Sequence, residues 1–375
     1  MEERAKRRHG DDLRAAVKLA ILATTGVTDV VEEMHVTIGG GPPLLGRPLE
    51  GPVRLVTKLS YGAVRGVTKL VGAGLDRAIE ALAPALGEST PGPEREAVLS
   101  ALNGVLGDHL AATGSPLAIE MSLRCRGPRG GRRLLVLVHG SSMNDLQWTR
   151  GEHDHGAALA RDLGYTPIYI RYNTGLHVST NGRALASLLD ALVAEWPEPI
   201  DEIAIVAHSM GGLVARSAAH VAALGAPWRM KLRRMVFLAT PHHGSPLERS
   251  GNLAAALLGV TSYSAPLARL ARIRSAGVTD LRHGSILDED WSNADRFALG
   301  ADARTPVPLP AGVECYAIAA ERDALVPLAS ALGTHHDAKH TLAFPPNATW
   351  TAPALNHLEV LWDPGVYARL RAWLA

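Results

Sequence analysis

Two hydrophobic patterns divide the chain near Pro116. From Asp11 to about Gly114, apolar residues recur at helical spacing, for example in EREAVLSALNGVLGDHLAA. After Pro116, short runs rich in valine, isoleucine and leucine alternate with longer amphipathic segments. This alternation is typical of an α/β protein whose mostly parallel central sheet has helices on both faces. We therefore predict a helical N-terminal region over residues 1–115 and an α/β domain over residues 116–375.

Seven segments of the second region have the length and composition of strands. The predicted strands are LAIEMSLRC, RLLVLVHG, TPIYIRYNT, EIAIVAHS, LRRMVFLAT, VECYAIAAE and HTLAFPP, the last from His340 to Pro346. A segment from about residue 241 to residue 306 is too long for a simple connection, and it is predicted to form a cap or lid. Its candidate acyl-site residues are Leu253, Leu257, Leu258, Leu267 and Leu270; the alternative is that they pack against the sheet, and for each leucine alone a core position is the favoured interpretation.

The charge and cysteine content narrow the classes of partner. Among 375 residues the formal net charge is +1, so no overall field favours nucleic acid. The two cysteines are too few for a disulfide framework. His242 and His243 are adjacent but lack a matching ligand spacing, so we expect no metal and no cofactor.

The N-terminal region bears on localisation. Charged residues interrupt its first apolar run, and no stretch approaches the roughly 20 apolar residues of a spanning helix. We therefore expect a cytoplasmic protein without signal peptide or transmembrane helix.

Between Gly51 and Leu75 a basic stripe lies opposite an apolar stripe. The basic stripe is formed by Arg54, Lys58, Arg65 and Lys69. Such a helix can lie on an anionic membrane surface, although packing on the α/β domain is the favoured interpretation.

A strand, a small-residue turn and an amphipathic helix follow one another in EIAIVAHSMGGLVARSAAHVAALG. Ser209 occupies the turn, which is the arrangement of a nucleophile elbow. The strained turn requires small neighbours, and Gly211 and Gly212 provide them on the helix side. On the strand side, Ala207 replaces the usual glycine of the G-x-S-x-G pattern.

A second motif, LLVLVHGSSMNDLQW, is a hydrophobic strand followed by a polar turn. Acyl transfer develops negative charge on a carbonyl oxygen, which backbone N–H groups can stabilise. The candidate donors of this oxyanion hole are Met210, after the nucleophile, and either Ser141 or Ser142. His139 is interpreted as a residue that shapes the loop.

Five motifs together resemble the α/β-hydrolase superfamily, specifically its lipases and esterases. They are VLVHG, AHSMGGLVAR, FLATPHHGSPLE, AAERDALVPLAS and NHLEVL, in this order, and the resemblance covers roughly Pro116 to Ala375. It implies an eight-stranded, mostly parallel sheet and a chain order of serine, acid, histidine. It also implies hydrolysis of carboxylic esters through an acyl-enzyme.

The resemblance assigns the acid to Asp323, in the loop after the next-to-last strand, with Glu321 and Asp337 as competitors. The base is expected between the last strand and the closing helix, where His357 lies. Histidine suits this role because its ordinary pKa lies near neutrality. Three other histidines, His335, His336 and His340, precede or begin the predicted last strand and are interpreted as surface residues.

The leading hypothesis is a serine esterase or lipase acting on apolar acyl esters. The same three residues would also serve an acyltransferase, a thioesterase or an amidase. A membrane-associated binding protein with a hydrolase fold is the alternative from another class.

Overall fold

The computed structural model describes residues 93–127, 129–222, 225–246, 274–292 and 302–375. The helices predicted before residue 93, with the basic stripe, and the five candidate acyl-site leucines lie outside these residues. Every described residue from Glu96 onward belongs to one compact unit. The predicted boundary between residues 115 and 116 remains a prediction.

A seven-stranded sheet organises the described part of the chain, with the strand order β1-β5-β2-β6-β7-β8-β9. All neighbouring strands are parallel except β1, which is antiparallel to β5. The strands are β1 (Ser122–Cys125), β2 (Arg133–Val138), β5 (Thr166–Arg171), β6 (Glu202–His208), β7 (Leu232–Leu238), β8 (Glu314–Ala320) and β9 (Thr349–Ala352), and a separate ribbon pairs β3 (Thr149–Arg150) with β4 (His153–Asp154). The predicted mostly parallel sheet is confirmed, with seven described strands where the resemblance implied eight.

Helices cover both faces of this sheet. They are α1 (Pro93–Ala112), α2 (His155–Leu163), α3 (Val178–Glu195), α4 (Met210–Val221), α5 (Pro227–Lys231), α6 (Ala276–Asp280), α7 (Glu289–Ser292), α8 (Leu328–Ala331) and α9 (Pro364–Leu374), with 3₁₀ turns at Asp145–Trp148 and Glu359–Leu361. One face packs against α3 and α4, and the other against α2 and α9. None of the helices within the described ranges is long and apolar enough to cross a bilayer.

Burial on both faces explains the sequence of the central strands. The apolar residues of β2, β6 and β7 are almost completely buried. A parallel strand covered on both sides reads as a continuous hydrophobic run, and RLLVLV and EIAIVAH have this form.

The prediction of the last strand was wrong. Residues 340–346 form no strand; β9 is Thr349–Ala352, which pairs with β8. Pro345 and Pro346 cannot donate hydrogen bonds to a strand ladder, and the Leu342 N–H donates to Gly333 O outside the sheet. The short segment TWTA, with its β-branched and aromatic residues, pairs instead.

The first predicted strand was too long, because its first residues are hydrogen-bonded to helix α1 instead of to the sheet. The buried amide of Asn103 donates to Leu117 O at 2.8 Å and accepts from Ile119 N at 2.9 Å. These bonds hold the chain against α1, so pairing with β5 begins only at Ser122.

Replacing Asn103 with alanine should therefore destabilise the fold. It would leave buried backbone groups of Leu117 and Ile119 without partners, at a cost of about 2–4 kcal/mol. Urea denaturation of the full chain measures the change. Thr113→Ala, at the exposed end of α1, should change the free energy of unfolding by about 0.5 kcal/mol or less. Equal stabilities of the two variants would contradict the role given to Asn103.

Candidate active site

Ser209 lies in a strained turn between β6 and α4. Its backbone has φ 54° and ψ −127°, a conformation that side-chain-bearing residues rarely adopt. Such strain costs about 1–3 kcal/mol and persists only where the surroundings enforce it. Here the Ser209 N–H donates to Leu238 O at 2.8 Å, and Ser209 O accepts from Gly212 N at 3.0 Å. The turn thus places the hydroxyl at the carboxyl end of the central strand.

The residues around the turn must be small because two backbones meet there. A Cβ on Gly211 would lie 2.4 Å from Val138 O and 2.5 Å from His139 O. A Cβ on Gly212 would lie 2.0 Å from Thr240 Oγ1. Ala207 is completely buried at the end of β6, so alanine fits where related motifs have glycine.

Three distant side chains meet in one hydrogen-bonded chain. His357 Nε2 lies 2.9 Å from Ser209 Oγ, and His357 Nδ1 lies 2.7 Å from Asp323 Oδ2. Ser209 and His357 are each 4% exposed, and the Asp323 side chain is 2% exposed. With the Nδ1–H tautomer, His357 donates to Asp323 and accepts from the serine hydroxyl. The structure therefore brings together the serine, acid and histidine expected from the sequence.

The loop after β8 fixes Asp323 and separates it from its competitors. Its second oxygen, Oδ1, accepts from Leu325 N at 2.8 Å and Val326 N at 2.9 Å. Glu321 instead accepts from Ala354 N at 2.7 Å. Asp337 is exposed, and the hydrogen bond from Lys339 N lowers the pKa of its carboxyl. Of these carboxylates, only Asp323 contacts His357 within the described residues.

The other candidate histidines form a separate group. The ring centroids of His335 and His336 lie 4.1 Å apart, and those of His335 and His340 lie 5.0 Å apart. His336 is exposed, as predicted. The surface interpretation of His335 was wrong, because its side chain is only 11% exposed and packs against His243.

The hydrogen bonds discriminate between the candidate oxyanion-hole donors. Met210 is the first residue of α4, so helix geometry leaves its N–H without an intrahelical acceptor. The Ser142 N–H donates to Thr174 Oγ1 at 3.0 Å and is therefore occupied. The Ser141 N–H has no acceptor among the described residues. Met210 and Ser141 therefore remain the predicted donors, and Ser142 is disfavoured.

His139 supports the loop that carries Ser141. Its ring stacks on Tyr172 with centroids 4.4 Å apart, and the Tyr172 hydroxyl donates to His139 O at 2.8 Å. Burial lowers the pKa of the imidazole to about 4. A neutral, buried ring at this position agrees with a role in shaping the loop.

Helix α1 also supports the site. The sequence did not reveal this contact. A Cβ on Gly104 would lie 2.0 Å from Ser142 Oγ, so the helix packs directly on this turn. The Asn173 amide donates to Gly107 O at 2.9 Å. The glycines of α1 are the available signal, since they permit close packing, but a glycine in a helix does not specify its partner.

His242 and His243 face two buried guanidinium groups. Arg216 Nη1 lies 3.5 Å from His242 Nδ1, and Arg304 Nη2 lies 2.8 Å from His243 Nδ1. Burial and the adjacent arginines lower the pKa of both imidazoles. Positive neighbours disfavour a cation at these rings. The described part of the chain contains no group of three or more histidine, cysteine or acidic residues that could hold a metal.

The strand order, the strained serine turn and the chain order of serine, acid and histidine define an α/β-hydrolase fold. The fold that the resemblance implied is therefore confirmed. A family model described as "PGAP1-like alpha/beta domain" matches residues 153–313. This match covers less than half of the chain and includes Ser209, whereas Asp323 and His357 lie beyond it.

Solved structures show similarity at low identity. A mature lipase of Bacillus licheniformis shares 16% identity at a TM-score of 0.45, over 68% of this chain and 98% of that one. Lipase B of Aspergillus fumigatus shares 12% identity at 0.44, over 67% of this chain and 55% of that one. A lipase-esterase related protein of Clostridium acetobutylicum shares 14% at 0.41, over 68% and 99%. No curated protein matched the sequence.

Gly211→Ala should distort the turn, because the added methyl group meets backbone oxygens of β2 and the following residue. Overpacking against atoms that cannot rotate away should cost at least about 2 kcal/mol of stability. Ala207→Gly is the control; it adds no contact and should cost about 1 kcal/mol or less. Thermal denaturation compares the two. A Gly211→Ala protein as stable as the parent would show that α4 does not approach β2 as described.

Proposed function

We propose that this protein is a serine hydrolase that cleaves carboxylic esters of apolar acyl chains through an acyl-enzyme. Ser209 is the nucleophile, His357 the general base and Asp323 the acid that orients it. The supporting observation is the continuous hydrogen-bonded chain of 2.9 Å and 2.7 Å through these residues. It joins a hydroxyl on a strained turn to a buried carboxylate, which is an arrangement suited to acyl transfer.

In the first step, Ser209 Oγ attacks the ester carbonyl carbon while His357 Nε2 accepts its proton. Asp323 stabilises the resulting imidazolium and holds the ring through Nδ1. The carbonyl oxygen becomes an oxyanion, which the N–H groups of Met210 and Ser141 are proposed to bind. Collapse of the tetrahedral intermediate releases the alcohol, which receives the proton from His357.

In the second step, water attacks the acyl-enzyme. His357 accepts the proton of the water and returns it to Ser209 Oγ as the carboxylic acid leaves. An acceptor other than water would give acyl transfer by the same residues, and a thioester or amide would enter by the same attack. Product analysis with competing acceptors distinguishes these reactions.

The membrane contact proposed for residues 51–75 would bring such an enzyme to lipid substrates. This proposal is supported by the four basic residues in this segment, which contains no acidic residue. Binding of the full chain to anionic and to zwitterionic vesicles tests it.

Ser209→Ala should abolish ester hydrolysis with the fold retained. Without the hydroxyl no acyl-enzyme forms, so kcat for p-nitrophenyl esters should fall by about 10⁴-fold or more. A series from acetate to laurate, assayed with the parent protein, would also give the preferred chain length. Retained activity in a correctly folded variant would refute the nucleophile assignment.

Asp323→Asn should reduce kcat by about 10³–10⁴-fold with little change in KM, because the amide favours the wrong tautomer of His357. Glu321→Gln is the matched control, since it removes a neighbouring carboxylate that contacts Ala354 N instead of the histidine. Its kcat should stay within about threefold of the parent value, well below the effect of losing a triad member. Similar losses in both variants would contradict the assignment of the acid.

A further inference from the structure

His208, immediately before Ser209, is completely buried at the end of β6. Its ring centroid lies 4.8 Å from that of His357. The mechanism above gives this second imidazole no role in proton transfer. A buried polar ring beside the reacting groups nevertheless requires a physical explanation.

One hydrogen bond provides that explanation. His208 Nε2 lies 2.9 Å from the main-chain oxygen of His357, so the ring donates Nε2–H to this carbonyl. The nucleophile and the base are therefore joined twice. Ser209 contacts His357 through the side chains, and the residue next to Ser209 holds the His357 backbone.

The ring remains neutral while it makes this bond. Burial is the main cause, and the nearby His357 the second, that keeps the pKa of His208 well below its ordinary value. A neutral ring avoids placing a second cation beside the imidazolium that forms on His357. Its other nitrogen, Nδ1, has no hydrogen-bond partner in the described part of the chain.

The same ring also contacts the loop that carries the proposed oxyanion donor. A Cβ on Gly140 would lie 3.0 Å from His208 Nδ1 and 3.0 Å from Ser209 Cβ. His208 thus lies between this loop and the loop of His357. Its position can influence the relative placement of the nucleophile, the base and the oxyanion donor.

We propose that His208 is a positioning residue, which holds the backbone of His357 so that its Nε2 stays within hydrogen-bonding reach of Ser209 Oγ. The proposal rests on the proposed hydrolase function for its kinetic consequence. A displacement of about 1 Å between reacting groups can cost about 10²-fold in rate. His208 would act on kcat without touching the substrate.

The experiment compares His208→Gln with His208→Met in the full chain. The two replacements have similar length, but only glutamine can present an N–H donor near the former Nε2. We expect His208→Met to lower kcat for p-nitrophenyl butyrate by about 10–100-fold with KM within about twofold. His208→Gln should recover most of this loss. Equal kcat values in the two variants would overturn the proposal.

His155→Met is the matched control. His155 is also completely buried, and its Nε2 lies 3.0 Å from Val360 O in the same closing segment. Its loss should reduce stability and leave kcat within about threefold, because the bond does not reach the backbone of His357 itself. A loss of kcat as large as in His208→Met would attribute the effect to general loosening and would overturn the proposal.

Crystal structures of the two His208 variants separate this proposal from the proposed function. In His208→Met the distance from Ser209 Oγ to His357 Nε2 should exceed hydrogen-bonding range, and in His208→Gln it should remain near 2.9 Å. An unchanged distance in His208→Met would overturn the positioning role, even if the parent protein hydrolysed no ester. Absent hydrolysis by the parent, with the expected distances, would refute the function alone.

Discussion

The backbone conformation of Ser209 is the constraint on which the site depends. A residue with a side chain resists φ 54° and ψ −127°, so the turn exists only because the packing around it enforces it. The close approach of Gly211 to the backbone at Val138 and His139 provides part of this enforcement. The hydrogen bond from Ser209 N to Leu238 O adds a link to the neighbouring strand. The conformation of the turn and the packing of the sheet and helix around it therefore depend on one another.

The parallel sheet places the loops of Asp323 and His357 beside the turn of Ser209. Because β6, β7, β8 and β9 are parallel neighbours, the loops after their carboxyl ends lie along one edge. The loop after β8 brings Asp323, and the loop after β9 brings His357. Hydrogen bonds to Leu325 N and Val326 N orient the carboxylate, and His208 holds the histidine backbone. Asp323 and His357 thus each have a further hydrogen bond that limits their movement.

Much of this arrangement could be predicted from the sequence, because the relevant signals are local. The hydrophobic run before Ser209 and the glycines after it describe a buried strand and a close helix. The order of the motifs then led to Asp323 and His357, which the structure brings together with the serine. Although the last strand was placed too early, His357 still follows the true strand, β9.

The remaining features depend on contacts that no local pattern specifies. Strand β9 has only four residues, and Thr349–Ala352 becomes a strand through pairing with β8. The contact of Gly104 with Ser142 joins a helix to a turn almost forty positions away in the chain. The bond from His208 to the His357 carbonyl spans 149 positions, and nothing in the motif around Ser209 indicates its acceptor. Long-range partners of this kind become visible only when the fold is known.

The proposed mechanism requires Ser209 to be a nucleophile activated by His357. Treatment of the full chain with a fluorophosphonate, followed by intact mass measurement and peptide mapping, tests this claim most directly. We expect one adduct per chain, located on Ser209, and a much slower reaction in His357→Ala, because no histidine then accepts the serine proton. No adduct on the folded parent protein, or an adduct on another serine, would contradict it.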